Sequence, residues 1–400
     1  MISSSIVEKM VELNERRIWI DGCFDFAHHG HAGAMMQARQ HGNELYVGVH
    51  NDSEILLNKG PPVMNLDERI AAVEGCRWCT ASIANAPYVT DPKVMDQYGC
   101  KYVVHGDDIT TDKDGKDCYA EVKEMGRFIV VKRTPNISTT DLVGRMLLFS
   151  KDHHMPTIDE NQWNSWFKGE TGSLDDKKIV LTSNNVERYE KYATNSDAKS
   201  LGASVWVNTN QSIHQLVKGT KENDGKNIIY VDGAFDLFNP GHITFLKEVR
   251  ELADSKNSIV IVGIEDDLTV NSVKGSNYPI MSFVERSLCV LQSKYIDGII
   301  LGSPEIITTE YFNKLQDITG SKVITIAHGP TKISDDAYKS VSDQIPLTQI
   351  PATKYASMDV TSIVDRVVAN RAAFEERQRR KGWKREIEQE LEHEEKADNS

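Results

Sequence analysis

Through the first 150 residues, short apolar runs alternate with stretches in which apolar residues return every three or four positions. The runs at Arg17–Asp21, Leu45–Val49, Ala81–Ile83, Lys101–Val104 and Phe128–Val131 have strand length. Between them the helical period predicts helices over Gly30–His41, Leu66–Cys76, Pro92–Tyr98 and Thr139–Phe149, the last opened by Ser138, Thr139 or Asp141 as cap. Strand and helix in alternation are the signature of βαβ units around a parallel sheet. The alternation returns after residue 226, with strands predicted at Asn227–Val231, Ser258–Gly263, Gly298–Leu301, Lys322–Ile326 and Thr348–Pro351.

The second half repeats the first. Ile20-Asp21-Gly22-Cys23-Phe24-Asp25-Phe26 matches Val231-Asp232-Gly233-Ala234-Phe235-Asp236-Leu237 at an offset of 211, and the run Pro62 to Arg69 matches Pro279 to Arg286 at 217. His105-Gly106 then pairs with His328-Gly329 at 223, and Thr140 to Arg145 with Thr361 to Arg366 at 221. Matches that keep their order while the offset drifts by a few residues mean a duplicated domain. The expected fold is therefore α/β: two tandem Rossmann-like domains, residues 1–150 and 227–372, each a parallel sheet of about five strands flanked by helices. Residues 151–226 read as a connector whose Trp163, Trp166, Phe167 and Trp206 dock on a domain. Residues 373–400 read as a solvated helix and frayed, charged tail.

Composition narrows the functional classes. With 40% hydrophobic and 26% charged residues in 400, the chain is an ordinary globular protein, which excludes disorder and collagen. No apolar run reaches the roughly 18 residues of a membrane helix, so no integral membrane segment is expected. Met1 to Arg17 lacks the apolar core of a signal peptide and carries Glu8, Glu12 and Glu15, unlike a transit peptide, so the expected location is cytoplasmic. A net charge of −13 repels a nucleic acid backbone but is compatible with a local basic pocket for a small phosphate ligand. The six cysteines are too sparse for a disulfide scaffold, and Cys76-x-x-Cys79 has no second pair to complete a zinc site. No resident metal site is expected.

The chemistry gathers after the first strand, where Gly22-Cys23-Phe24-Asp25-Phe26-Ala27-His28-His29-Gly30-His31 leads into a helix. Such a junction offers free backbone N–H groups and the positive end of a helix dipole to an anion. His28 and His31, three residues apart, are placed to address one phosphate, with Gly30 keeping the backbone close to it. A pair of surface histidines is the plain alternative; the strand context and the matching site in the second copy weigh against it.

The His28-x-Gly30-His31 motif, together with Arg133-Thr134-Pro135-Asn136-Ile137-Ser138-Thr139-Thr140, resembles the cytidylyltransferase branch of the nucleotidylyltransferase superfamily, whose pattern at the second site is R-T-x-G-I-S-T-T. Asn136 departs from that glycine, although Asn tolerates left-handed geometry. The resemblance implies attack of a phosphomonoester on the α-phosphate of CTP with release of pyrophosphate, Mg2+ arriving with the CTP. It implies catalytic roles for His28, His31, Lys59 and Arg133. Gly22, Cys23, Phe24, Asp25 and Gly30 would form the nucleotide-facing turn, Asp52 would address cytosine or ribose, and Thr134, Ser138, Thr139 and Thr140 would meet the outer phosphates. For the second substrate it points to Lys59, to Arg69 as phosphate ligand or salt-bridge partner, to Asp107 for an ammonium group, and to Trp78 as either a cation-facing ring or core.

The duplication, with His105-Gly106-Asp107-Asp108 and Asp114-Gly115-Lys116-Asp117-Cys118-Tyr119, is most similar to the branch that takes phosphoethanolamine. The phosphocholine branch resembles one catalytic domain followed by a long amphipathic helix. Another phospho-alcohol, or a silent nucleotide-binding regulator, are the competing expectations, and homodimerisation and peripheral membrane attachment stay open. In the second copy Asn239 replaces the first histidine, Pro330 stands at the place of Asp107, and Asp359 and Val360 at those of Ser138 and Thr139. Gly233, Ala234, His242 and Lys274 remain, which leaves at most a weak second nucleotide site without catalysis.

Overall fold

Ile18 and Ile20 feed one hydrophobic cluster while Trp19, between them, feeds another, so the first strand is buried on both faces and must lie inside a sheet. The computed structural model describes residues 12–135, 137–148, 150–170, 178–220, 225–380 and 382. Asn136, the helix end at Phe149, parts of the connector and the tail at 381 and 383–400 lie outside the described residues. In the first copy β1 (Asn14–Gly22), β2 (Glu44–His50), β3 (Ala81–Ala86), β4 (Cys100–Gly106) and β5 (Phe128–Val131) form a parallel sheet in the order β3-β2-β1-β4-β5. Around it run α1 (His29–Gln40), α2 (Asp52–Asn58), α3 (Leu66–Glu74), α4 (Pro92–Gln97), α5 (Ala120–Glu124) and α6 (Thr139–Leu148). Asn65 starts α3 through a reciprocal cap with Glu68.

Residues 151–226 do more than connect. After α7 (Glu160–Phe167) and α8 (Ser183–Tyr192) they supply β6 (Ser204–Asn208) and β7 (Ile213–Val217), which extend the sheet of the second copy. That copy contributes β8 (Asn227–Gly233), α9 (Pro240–Ser255), β9 (Ser258–Glu265), α10 (Asp267–Lys274), α11 (Phe283–Leu291), β10 (Gly298–Ser303), α12 (Thr309–Thr319), β11 (Val323–His328), β12 (Leu347–Gln349) and α13 (Val360–Ala369). The sheet order is β12-β11-β8-β9-β10-β6-β7, with β7 antiparallel, so among the described residues it has seven strands against the five expected. Trp206 is the buried centre of β6 rather than a docking aromatic. The last strand closes before Pro351, which has no N–H to donate to a ladder.

The copies face one another reciprocally. Arg145 on α6 forks onto Glu285 on α11 at 2.6 and 2.9 Å, and its counterpart Arg366 on α13 forks onto Glu68 on α3 at 2.8 and 2.9 Å. Phe374, beyond α13 in the segment read as solvated tail, is buried, because residues 371–380 are helical and lie back across the first copy.

Candidate active site

In the first sheet the strand order reverses between β1 and β4, and the crevice outside the carboxyl ends of strands at such a reversal is where open α/β sheets bind ligands. A cavity of about 300 Å³ opens there, walled by Ile20 to Phe24 after β1, by His105, Gly106 and Asp108 after β4, and by Lys132 to Thr134 after β5. Lys59, Lys132, Arg133 and Arg377 face it with only Asp21 and Asp108 as carboxylates. In an acidic chain, this is a local positive site. Asp21 is already engaged by Trp19 Nε1, Thr90 Oγ1 and the Tyr119 hydroxyl at 2.7–2.9 Å.

The turn between β1 and α1 is strained: Phe24, Phe26 and Ala27 all hold positive φ (53°, 67° and 38°), a conformation that costs roughly 1–3 kcal/mol per non-glycine residue. Asp25 clamps it from below, its buried carboxylate accepting from Val63 N at 2.9 Å and Met64 N at 3.0 Å. Burial pushes the Asp25 pKa up, and the Arg377 guanidinium opposes that rise. From the second copy, Gln292 Nε2 donates to Ala27 O at 3.1 Å and Cys289 Sγ receives the His29 N–H at 3.2 Å. The middle residue of the histidine motif therefore anchors the turn to the partner copy.

His28 caps α1 by accepting the Gly30 N–H on Nδ1 at 3.1 Å, which leaves its tautomeric proton on Nε2. The His28 and His31 rings stack with centroids 3.9 Å apart. Gly30 is required there, since a Cβ would lie 2.8 Å from Ile137 Cγ2 and 2.9 Å from the His28 ring. His31 Nδ1 is buried without a protein partner, and desolvation, with repulsion by His28, Lys59 and Arg133, drives its pKa well below the usual histidine range. Lys59 closes α2 and sits 5.7 Å from the Tyr88 ring centre; the nearby Cys23 and Tyr88 raise its pKa and hold it charged.

Gly22, Cys23, Phe24, His28, Gly30, His31, Lys59, Arg133, Thr134, Ser138, Thr139 and Thr140 all meet at this cavity. Asp25, Asp52, Arg69, Trp78 and Asp107 do not: Asp25, expected to face the nucleotide, instead lies buried beneath the turn. Arg69 is fully buried, donating to Met64 O, Cys23 O, His50 O and Asp52 Oδ1 at 2.6–3.0 Å. The second copy repeats that network: Arg286 donates to Met281 O, Ala234 O, Glu265 O and Asp267 Oδ1, and Asp236 clamps Ile280 and Met281 as Asp25 clamps Val63 and Met64. A set kept in a copy where Asn239 stands in place of the first motif histidine serves as scaffold. Trp78 is core, its Nε1 donating to Asn195 O at 3.1 Å. Asp107 turns Oδ1 to the Arg133 N–H at 3.0 Å, and it is Asp108, one residue on, that faces the cavity and pairs with the Arg133 guanidinium at 2.9 Å. Strand alternation after β4 was the available signal for that exchange, and the repeated His105-Gly106 pair marked His105; nothing local marked Lys132, Thr110 or Arg377.

In the second copy Asn239 caps α9 in place of His28, and His242 Nδ1 accepts the Asn239 N–H at 3.3 Å. Burial and Lys274 push the His242 pKa down to about 4. Asp359 caps α13, accepting from Ser362 N at 2.8 Å, where a phosphate would have to approach. Ala234 O is taken up by Arg286, and Lys274 stands over the Tyr278 ring.

The fold and this site define a nucleotidyltransferase-type centre, and a cytidylyltransferase-like family model matches residues 19–145 and 230–378. The chain belongs to the cytidylyltransferase-like family. Among curated relatives, the ethanolamine-phosphate cytidylyltransferase of Mus musculus is 39% identical over 91% of this chain and 89% of its own length. The enzyme of that name from Dictyostelium discoideum is 37% identical over 91% and 94%. Choline-phosphate cytidylyltransferase A of Rattus norvegicus is 37% identical but over only 33% of this chain, the span of a single copy.

Proposed function

We propose that this chain transfers the cytidylyl group of CTP to phosphoethanolamine, giving CDP-ethanolamine and pyrophosphate, with the chemistry confined to the first copy. A phosphate oxygen of phosphoethanolamine attacks the α-phosphorus of CTP; the new P–O bond forms as the bond to the β-phosphate oxygen breaks, and pyrophosphate leaves with the electron pair. No covalent step falls to the protein, which must align two anions and neutralise their charge. His28 and His31 donate to the phosphates at the reacting centre, Lys59 bridges the two substrates, and Arg133 with the Thr134 to Thr140 turn receives the departing pyrophosphate. Asp108 is the cavity carboxylate placed to receive the ammonium group.

The observation that carries this reading is the stacked histidine pair at the sheet's reversal point, ringed by Lys59 and Arg133. Among the described residues no cluster of three or more His, Cys, Asp or Glu is arranged to hold a metal ion. Mg2+ would enter on the triphosphate oxygens, where it would supply charge neutralisation. A cytoplasmic site of action is our reading, since no disulfide joins the six cysteines among the described residues. Among the described residues no helix is long and apolar enough to cross a membrane. Sedimentation decides whether two chains pair, and vesicle flotation whether the chain attaches to a membrane surface.

The deciding experiment follows pyrophosphate release with CTP and Mg2+, comparing phosphoethanolamine with phosphocholine in the wild type, His31→Ala and His242→Ala. Preference for phosphoethanolamine with activity lost only in His31→Ala is expected. Release of no pyrophosphate with any phospho-alcohol defeats the proposal, and CTP binding without turnover would favour a regulator instead.

A further inference from the structure

The least expected wall of the cavity comes from the far end of the chain. Residues 371–380 form a helical turn beyond α13, and its Arg377 reaches the first copy's site. Its Nη1 donates to Pro61 O at 2.7 Å, and the guanidinium stands 3.7 Å from the Asp25 carboxylate beneath the strained turn. The contact is close along the whole side chain: a Cβ on Gly60, whose φ is +101°, would lie 3.1 Å from Arg377 Cβ. On either side of Arg377 the segment is held by the buried Phe374 and by Gln378 Nε2, 3.5 Å from Thr140 O on α6. The Arg377 side chain is 13% exposed and lines the cavity.

A guanidinium carries five N–H donors in a planar fork suited to phosphate oxygens. Pro61 and Asp25 engage part of that fork. Arg377 stands next in space to Lys59, on the loop Lys59-Gly60-Pro61, and shares the cavity with His28, His31 and Arg133. A second fixed cation beside the lysine that bridges the two substrates is where two polyanions must be brought together, and only a charged group with spare donors serves that purpose. A purely structural anchor would use the Pro61 bond and the charge beside Asp25 and leave the remaining donors of the fork idle.

Resting on the cytidylyltransferase reading above, we propose that Arg377 is a substrate-binding residue of the first copy, supplied by the segment after the second copy, with its guanidinium contacting phosphate oxygens beside Lys59. The phosphate is that of the triphosphate or of the phosphomonoester, and separate KM values tell them apart. The proposal also gives the second copy a task its worn site does not suggest: it carries the segment that completes its neighbour.

The test uses the full chain with Arg377→Gln, which keeps a donor for Pro61 O and loses the charge, and Arg377→Lys, which keeps the charge. Melting temperature, kcat and both KM values are measured, with CTP binding followed directly by calorimetry. The expected result, measured well below each variant's melting temperature, is a rise of about ten-fold or more in KM for CTP or for phosphoethanolamine in Arg377→Gln and substantial recovery in Arg377→Lys. A rise confined to CTP assigns the contact to the triphosphate; a rise confined to phosphoethanolamine assigns it to the acceptor. Unchanged or lowered KM values in Arg377→Gln overturn the proposal. Should the wild type fail to turn over, the activity reading falls by itself. Calorimetry with CTP and with phosphoethanolamine then still decides Arg377: weaker binding of either ligand in Arg377→Gln alone sustains it, and equal binding of both ligands by both variants and wild type removes it.

Discussion

His31 is a base held neutral by its surroundings. Buried, and faced by His28, Lys59 and Arg133, it has a pKa well below 6.5 in the free chain. An incoming triphosphate offsets the positive charges that depress it and adds negative charge beside the unpartnered Nδ1, so the bound state favours the imidazolium. The sign follows by linkage: binding takes up protons, and CTP affinity rises as pH falls toward the depressed pKa. Calorimetry of CTP binding in buffers of different ionisation enthalpy should show proton uptake in the wild type that disappears in His31→Ala, which should also lose about 10²–10³ in kcat. Uptake that persists in the variant would assign the proton elsewhere. At this scale the sequence was most legible where residues act through their neighbours in the chain, as in His28 to His31 or Arg133 to Thr140. It was least legible at Arg69, Trp78 and Asp107, because an arginine's four partners, a tryptophan's burial and the side to which an aspartate points after a strand are set by contacts tens or hundreds of residues away.

Strands and helices were read well because their signals are periodic and local: apolar runs marked β1 to β5, and the Asn65 and Ser282 boxes mark the starts of α3 and α11. The first turn of those two helices carries a shared device. Arg69 and Arg286 each tie the helix to the carbonyl ends of the neighbouring strand and turn, and both are fully buried. Arg286→Met strands the fully buried Asp267 and should cost on the order of 3–5 kcal/mol. We expect Arg69→Met to lower the denaturation midpoint too, but by less, since Asp52 is 45% exposed and solvent takes up its charge. If Arg69→Met left the midpoint unchanged while abolishing turnover, Arg69 would be a substrate ligand after all. What escaped the sequence at this scale was β6 and β7: β7 is the edge strand and β6 its inner neighbour, and polar residues such as Ser204, Asn208 and His214 interrupt the apolar pattern that marks the other strands.

The whole molecule behaves as a dimer written into one chain. Arg145 with Glu285 and Arg366 with Glu68 are images of each other, and each arginine also touches the clamp loop of the opposite copy, Arg145 at Ile280 O (3.1 Å) and Arg366 at Val63 O (3.4 Å). The loops differ in what they serve. Val63 is held by Asp25 beneath the working turn, whereas Ile280 is held by Asp236 beneath the worn one. Burial differs as well: the Arg145 pair is 16% and 10% exposed, whereas Arg366 is 40% exposed, so solvent screens the second pair more. Stability and activity should therefore respond in opposite order. Arg145→Ala is expected to cost about 2–4 kcal/mol by urea denaturation while leaving kcat/KM near wild type. Arg366→Ala is expected to cost about 1 kcal/mol or less, yet lower kcat/KM by roughly three- to ten-fold, because a small shift of Val63 moves Asp25 and the histidine turn above it. Activity that simply followed stability through the two variants would show the interface to be glue alone; the crossed order would show that the second copy holds the turn of the first in place.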